Sequence, residues 1–185
     1  MRVFFFGLFI FASNLIWSNE IIVRDQIVIG VKVEDIVKDC GRFSEMENFL
    51  NKESWVESFL VGIRFYIVHL KKDWQIDAKR EEIFSSLKNK AFVSFFNNVY
   101  KNDDCYIYTD GCFFISFKQE EARKSFLALY GTLFRWIEYK ELKLFYMEPL
   151  LMDRRFIYDF AREVNNKIAG LEFIELDIYR KYLQK

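Results

Sequence analysis

Ile21 to Val33, IIVRDQIVIGVKV, is β-branched and partly alternating, which predicts one strand or a hairpin. Ser44-Glu45-Met46-Glu47 has the form of a capping box and opens a predicted helix with Met46, Phe49 and Leu50 on one face. Ser54-Trp55-Val56-Glu57 repeats that signal and predicts a helical restart toward Leu60. Arg64 to Leu70, RFYIVHL, is apolar on both faces, as a central strand is. Asp77 is a candidate cap for a helix carrying Ile83, Phe84, Leu87 and Ala91 inward. Periodicity leaves open whether that helix runs on through AFVSFFNNVY or gives way to a strand.

In the second half, Cys105–Thr109 and Cys112–Phe117 flank Asp110-Gly111, a pair suited to a type I′ hairpin turn because both central residues need positive φ. That register puts Cys105, Ile107, Thr109, Cys112, Phe114 and Ser116 on one face, and Tyr106, Tyr108, Phe113, Ile115 and Phe117 on the other. A helix follows from about Gln119 to Phe134, with Ala122, Phe126, Leu129, Tyr130 and Leu133 as its apolar stripe. Lys140–Met147 reads as a strand. Asp153 caps a helix with Phe156, Ile157, Phe160, Val164 and Ile168 inward, Gly170 stops it, and Leu171–Tyr179 is a last strand.

From residue 64 to 147 the order is strand, helix, strand, strand, helix, strand. That order predicts an α+β fold built on a ferredoxin-like βαββαβ plait, with a strand and helix added before it and a helix and strand after it. No internal repeat and no low-complexity linker interrupts residues 19–185, so one domain is expected.

Short motifs inside this frame carry family likenesses. FYIVHL at 65–70 resembles the first signature of RNA-recognition motifs, DGCFFISF at 110–117 resembles the second, and EEARKSFLALYG resembles the family's closing helix. The resemblance implies a sheet face with stacking aromatics, for which Tyr66 and Phe114 are the matching positions. Asp110 stands where that family has a cation, Cys112 where it has a stacking ring, and His69 where it has Asn. FYIVHL and SFKQEEARKSF are also similar to the sporulation-related repeats, exported plaits that bind peptidoglycan, although here some 55 residues follow the segment. Tyr66, Phe114 and His69 are therefore the candidate binding residues.

The N-terminus sets the expected compartment. MRVFFFGLFIFASNLIWS has a short positive n-region at Arg2, an apolar run from Val3 to Phe11 and smaller, more polar residues to Ser18. Residues 1–18 read as a signal peptide cleaved after Ser18 or Ala12, or as a short uncleaved anchor. The segment Val3–Trp17 is shorter than the roughly 20 residues that span a bilayer. Export to the periplasm or cell envelope follows, and membrane attachment is expected only through these residues.

Composition narrows the function. Hydrophobic residues make up 52% of the 185, and 22 are Phe, which supplies a real core. One proline and seven glycines argue against a turn-rich all-β fold. Net charge is zero, and removing residues 1–18 takes away only Arg2, leaving 26 basic against 27 acidic side chains. No general electrostatic drive toward nucleic acid follows from that balance. Cys40, Cys105 and Cys112 form no C-x-x-C, and the hairpin register would hold Cys105 and Cys112 about 13 Å apart. Buried, reduced cysteines are expected, with the disulfide state otherwise open.

Catalytic and metal motifs are absent, and no cofactor is expected. His69 is the single histidine and sits in an apolar strand. Asp103-Asp104 reads as a solvated turn, and Glu175 and Asp177, which share a face of the last strand, as an exposed edge. The expected role is a non-catalytic envelope binding or assembly module with a protein partner. A glycan partner is the alternative, and an intracellular RNA binder the third reading.

Overall fold

A computed structural model describes residues 21–32, 40–62, 64–101, 105–150 and 153–182. The expectations for residues 1–18, for Asp103-Asp104 and for the Cys40 side chain lie outside the described residues. The fold is mixed α+β, with an antiparallel sheet of eight strands and four helices. Its elements are β1 (Ile21–Val31), α1 (Cys40–Leu50), β2 (Val56–Val61), β3 (Phe65–Leu70), α2 (Asp77–Leu87) and β4 (Val93–Lys101), then β5 (Cys105–Phe117), α3 (Glu120–Tyr130), β6 (Phe134–Tyr139), β7 (Leu144–Pro149), α4 (Ile157–Lys167) and β8 (Leu171–Tyr182).

Each half runs strand, helix, strand, strand, helix, strand. The sheet path is β2-β3-β1-β4-β5-β7-β6, with β8 paired to β5. In both halves the strands therefore stand in the order second, third, first, fourth. The repeated topology divides between β4 and β5, so the expected unit at 64–147 straddles two units.

Three sequence expectations change as a result. The segment after Ser54 is strand β2, not a helical restart. The helix from Asp77 ends at Leu87, and 93–101 is a strand. The helix from Gln119 ends at Tyr130, not Phe134; residues 134–139, mostly left between the expected helix and the expected strand, form a strand of their own, and Lys140–Leu142 is a 3-10 turn rather than the start of a strand.

The largest correction concerns Asp110-Gly111. Gly111 does adopt positive φ, at 82°. The chain nevertheless continues as one strand from Cys105 to Phe117. Thr109 pairs with Ile178 and Phe113 with Leu176, so four residues of β5 advance against two of β8. The two extra residues form a bulge, held by Gly111 N donating to Thr109 Oγ1 at 2.9 Å and Cys112 N donating to Asp110 Oδ1 at 2.8 Å. The local turn chemistry is real, but β8 is present along the whole strand and prevents the chain from folding back.

The helices share one side of the sheet. Ile27, Ile29, Tyr66, Val68 and Leu70 pack with Met46 and Leu50 of α1 and Ile83, Phe84 and Leu87 of α2. Cys105, Ile107, Phe113 and Ile115 pack with Ala122 and Phe126 of α3 and Ile157, Phe160 and Val164 of α4. Tyr100 carries that side across the join: it follows Phe96 and Asn98 at two-residue steps and meets the Tyr158 ring at 4.2 Å. Val28, Ile67, Val99 and Tyr108 make a separate buried cluster on the opposite side.

The stripes expected on α1, α2 and α4 hold, with two exceptions: Phe156 is 56% exposed, and Ala91 lies past the end of α2 and is exposed. On α3 the buried face turns toward Leu127 and Tyr130, leaving Leu129 on the flank. The sequence reading also missed buried Arg80, whose Nη1 donates to Arg24 O and whose Nη2 donates to Asn98 Oδ1, both at 2.6 Å. The expected cap at Asp153 is present, with Oδ1 accepting from Arg155 N at 3.0 Å.

Candidate functional site

β5 is the strand on which the two halves meet. One edge of it pairs with β8 from Cys105 to Phe117. The other is divided: β4 takes Tyr106 and Ile107, and β7 takes Phe113–Ser116. Between these ladders lies the bulge, where main-chain groups need other partners. Asn97 Nδ2 donates to Thr109 O at 3.3 Å, and Thr109 Oγ1 donates to Asp177 O at 2.8 Å. Arg154, from the turn before α4, donates through Nη1 to Asp110 O at 2.8 Å and through Nη2 to Pro149 O at 3.2 Å. Its guanidinium also pairs with Glu148 and lies 5.6 Å from the Phe95 ring centre.

Beside this fork, the side of β5, β7 and β8 turned away from the helices presents a compact group. Phe114 and Tyr146 face each other across the ladder with ring centres 5.1 Å apart, and both are half-buried. Glu175 is the β8 neighbour of Phe114, and Asp177 lies two residues further on the same face. On β6, exposed Ile137 is the neighbour of Tyr146. The Tyr146 hydroxyl hydrogen-bonds the Cys112 thiol.

Burial and the Asp110 charge push the Cys112 thiol up to about 12. At neutral pH it is protonated and a poor nucleophile. Burial, then the Cys112 bond, holds the Tyr146 hydroxyl far above its ordinary range. Asp177 is raised to about 6, first by burial and then by Asp110. The arrangement thus offers two aromatic rings beside carboxylates, one of them retained against its own desolvation. That suits recognition of a cationic or hydroxyl-rich surface, and the protonated Cys112 thiol is unsuited to thiolate chemistry.

A cavity of about 390 Å³ lies on the other flank of the join, between α2, β4 and the turn before α4. Phe84, Phe95, Phe96, Arg154 and Arg155 line it, with Lys88 at its rim. Arg155 is committed to the fold: it pairs with Asp153 and Glu81, stands 4.5 Å from the Phe84 ring centre, and its carbonyl accepts the Tyr100 hydroxyl at 2.8 Å. The cavity is therefore a clamp between α2 and the second half rather than a free cation site.

The three residues singled out from the sequence do not form one site. Tyr66 is fully buried on the helix side, donating to Glu47 Oε1 at 3.1 Å. The expectation of an exposed ring there is corrected. The true first strand of that half is β1, which turns Tyr66 toward α1. His69 is half-buried on the opposite side, paired with Gln26 and Ser58. Phe114 alone belongs to the group described above. Its partner Tyr146 went unremarked because LFYMEP looks like any buried strand. Glu175 and Asp177 were legible as sharing a face, but not as neighbours of Phe114. Cys105 and Cys112 are buried and in no disulfide, as expected.

Among the described residues no helix is long and apolar enough to cross a membrane, and no group of three or more His, Cys, Asp or Glu could hold a metal ion. No protein-family model, curated protein or solved structure matches the chain.

Proposed function

We propose that the chain is a tandem pair of ferredoxin-like plaits that acts, after export, as a non-catalytic binding module of the cell envelope. Its second plait holds a protein partner on the sheet face formed by Phe114, Tyr146, Glu175 and Asp177. The strand order second, third, first, fourth in each half supports the plait reading. The carrying observation for binding is the half-exposed Phe114–Tyr146 ring pair beside the Glu175 and Asp177 carboxylates. Stacking rings recruit apolar and cationic side chains, and the carboxylates add charge attraction for Lys or Arg. The same carboxylates oppose phosphate, so RNA is disfavoured.

A photo-crosslinking amino acid placed at 114 or 146 in living cells tests this. Both positions should yield one envelope-protein adduct of the same mass, and position 129 on the α3 flank should yield none. Equal labelling from all three positions, or no adduct from 114 and 146, would end the protein-partner reading. A glycan is the second reading, since a ring pair beside carboxylates also suits a sugar face with its hydroxyls. Binding of purified peptidoglycan that is lost in Phe114→Ala would favour it. N-terminal sequencing of the native protein tests export, and an intact Met1 in the cytosol would overturn it.

A further inference from the structure

β6 ends the sheet path, and its outer edge meets no other strand among the described residues. Arg135 to Tyr139 are all exposed, with Trp136 at 41%, Ile137 at 52% and Tyr139 at 44%. The strand has no lysine, proline or bulge to blunt it. It carries Arg135 and Glu138 but also three exposed apolar or aromatic residues in six, and an open edge of that kind can template pairing with another strand. The other end of the path, β2, also exposes Leu60 and Val61, so exposure alone does not choose the occupant.

β6 is self-complementary in one register. Two copies of β6 can pair antiparallel about a two-fold axis normal to the sheet, which keeps the same face up in both copies. Only registers that bring same-face residues opposite one another are then allowed. With the axis at Ile137, Ile137 faces its own copy, Arg135 faces the second copy's Tyr139, and Trp136 faces the second copy's Glu138. Arg135 is already fixed by its pair with Glu148, so its guanidinium is held in place for an aromatic neighbour. Moving the axis to Glu138 opposes two carboxylates. Moving it to Trp136 sets Arg135 against Ile137 and Glu138 against Phe134. Pairing β6 with β2 of another copy would not close and would grow a filament.

We propose that the chain forms a two-fold dimer through antiparallel β6–β6 pairing centred on Ile137, continuing one sheet through both copies. A six-residue edge is smaller than the roughly 1,200 Å² of a tight interface, so association should be concentration-dependent. The inference is independent of the partner-binding face: crosslinks at 114 can fail while the dimer persists, and the reverse.

Sedimentation velocity of the purified chain from about 1 to about 100 μM, a range that brackets micromolar affinity, tests it. The expected result is a shift from monomer to dimer that stops at two copies. Ile137→Lys and Ile137→Asp should each remain monomeric with unchanged far-UV circular dichroism, because position 137 is exposed. Mixed in equal amounts, they should dimerise again, since the axis brings the two introduced charges together. A wild-type monomer throughout, unlimited growth, or an Ile137→Lys chain that dimerises like wild type would overturn the proposal. Two monomeric variants that fail to restore each other would overturn the register.

Discussion

The Arg154 guanidinium donates to the main-chain carbonyl of Asp110 at 2.8 Å, where β5 leaves β4 and takes up β7. No strand ladder reaches residues 110–112. A carbonyl in such a gap must find a donor or remain costly. Arg154 fills the gap from the turn before α4 and also binds Pro149 O and Glu148 at the end of β7. One side chain thereby ties the bulge to β7 and closes the fork.

Arg154→Ala should therefore cost about 2–4 kcal/mol, because it removes charged hydrogen bonds and leaves an acceptor unpaired. Arg154→Lys should recover less than half of that, since a single ammonium cannot match a planar fork reaching several oxygens. Urea unfolding midpoints measure both. A loss below about 0.5 kcal/mol for the alanine variant would remove Arg154 from this role.

Tyr66 and Phe114 look alike in the sequence and should behave differently. Tyr66 is fully buried and bonded to Glu47. Tyr66→Ala should cost about 3–5 kcal/mol, and Tyr66→Phe about 1 kcal/mol. Phe114 is half-buried against Tyr146, so Phe114→Ala should cost less than half as much as Tyr66→Ala while abolishing capture of the partner. Equal destabilisation by the two alanine variants would show that Phe114 belongs to the core and not to a binding face.

How far the fold was legible depends on what is encoded locally. The Ile157–Val164 stripe and the Asp153 cap are short-range patterns, and they appear as expected. Face sharing by Glu175 and Asp177 follows from strand alternation alone. The duplicated topology left no repeat in the sequence, because each half meets the same packing demands with different residues, Tyr66 in β3 where β7 has Tyr146 on the opposite face. Asp110-Gly111 gave the right backbone and the wrong consequence. Its positive φ is local, whereas the choice between hairpin and bulge is made by β8, some 60 residues away. β6 was hidden because the apolar stripe read for the preceding helix runs to Leu133 and the next strand was placed only from Lys140, and it is the pairing with β7 that marks FRWIEY as a strand. The ring pair at the candidate site needed two strands about 30 residues apart, which no motif announces.

Asp177 makes a pH prediction. Its folded value of about 6 lies above the ordinary carboxylate range. The folded state therefore binds the proton more tightly than the unfolded chain, and stability contributed by the protonated group is lost as pH rises from about 4 to about 6. Asp177→Asn removes that loss. It should be more stable than wild type at pH 7.5 by about 1 kcal/mol, after allowing for solvent screening of a partly exposed group, with the advantage shrinking at pH 4.5. An advantage of the same size at both values would mean that the substitution acts through packing and not through charge.

Two glycines should respond in opposite directions to the same substitution. Gly111 has φ of 82°, and an added Cβ would come within 2.9 Å of Arg154 Cβ. Gly111→Ala should cost about 1–2 kcal/mol for the left-handed backbone alone. It should cost more in total, because the displaced neighbour carries the guanidinium that closes the fork. Gly41 lies in α1, and a Cβ there meets nothing within 4 Å. Gly41→Ala should be neutral or stabilising by up to about 1 kcal/mol, since alanine restricts the unfolded chain and favours the helix. Thermal unfolding of the two variants side by side checks the pair. If Gly111→Ala unfolds with wild-type midpoint, the bulge is able to relax, and the fork does not depend on the close approach of Gly111 to Arg154.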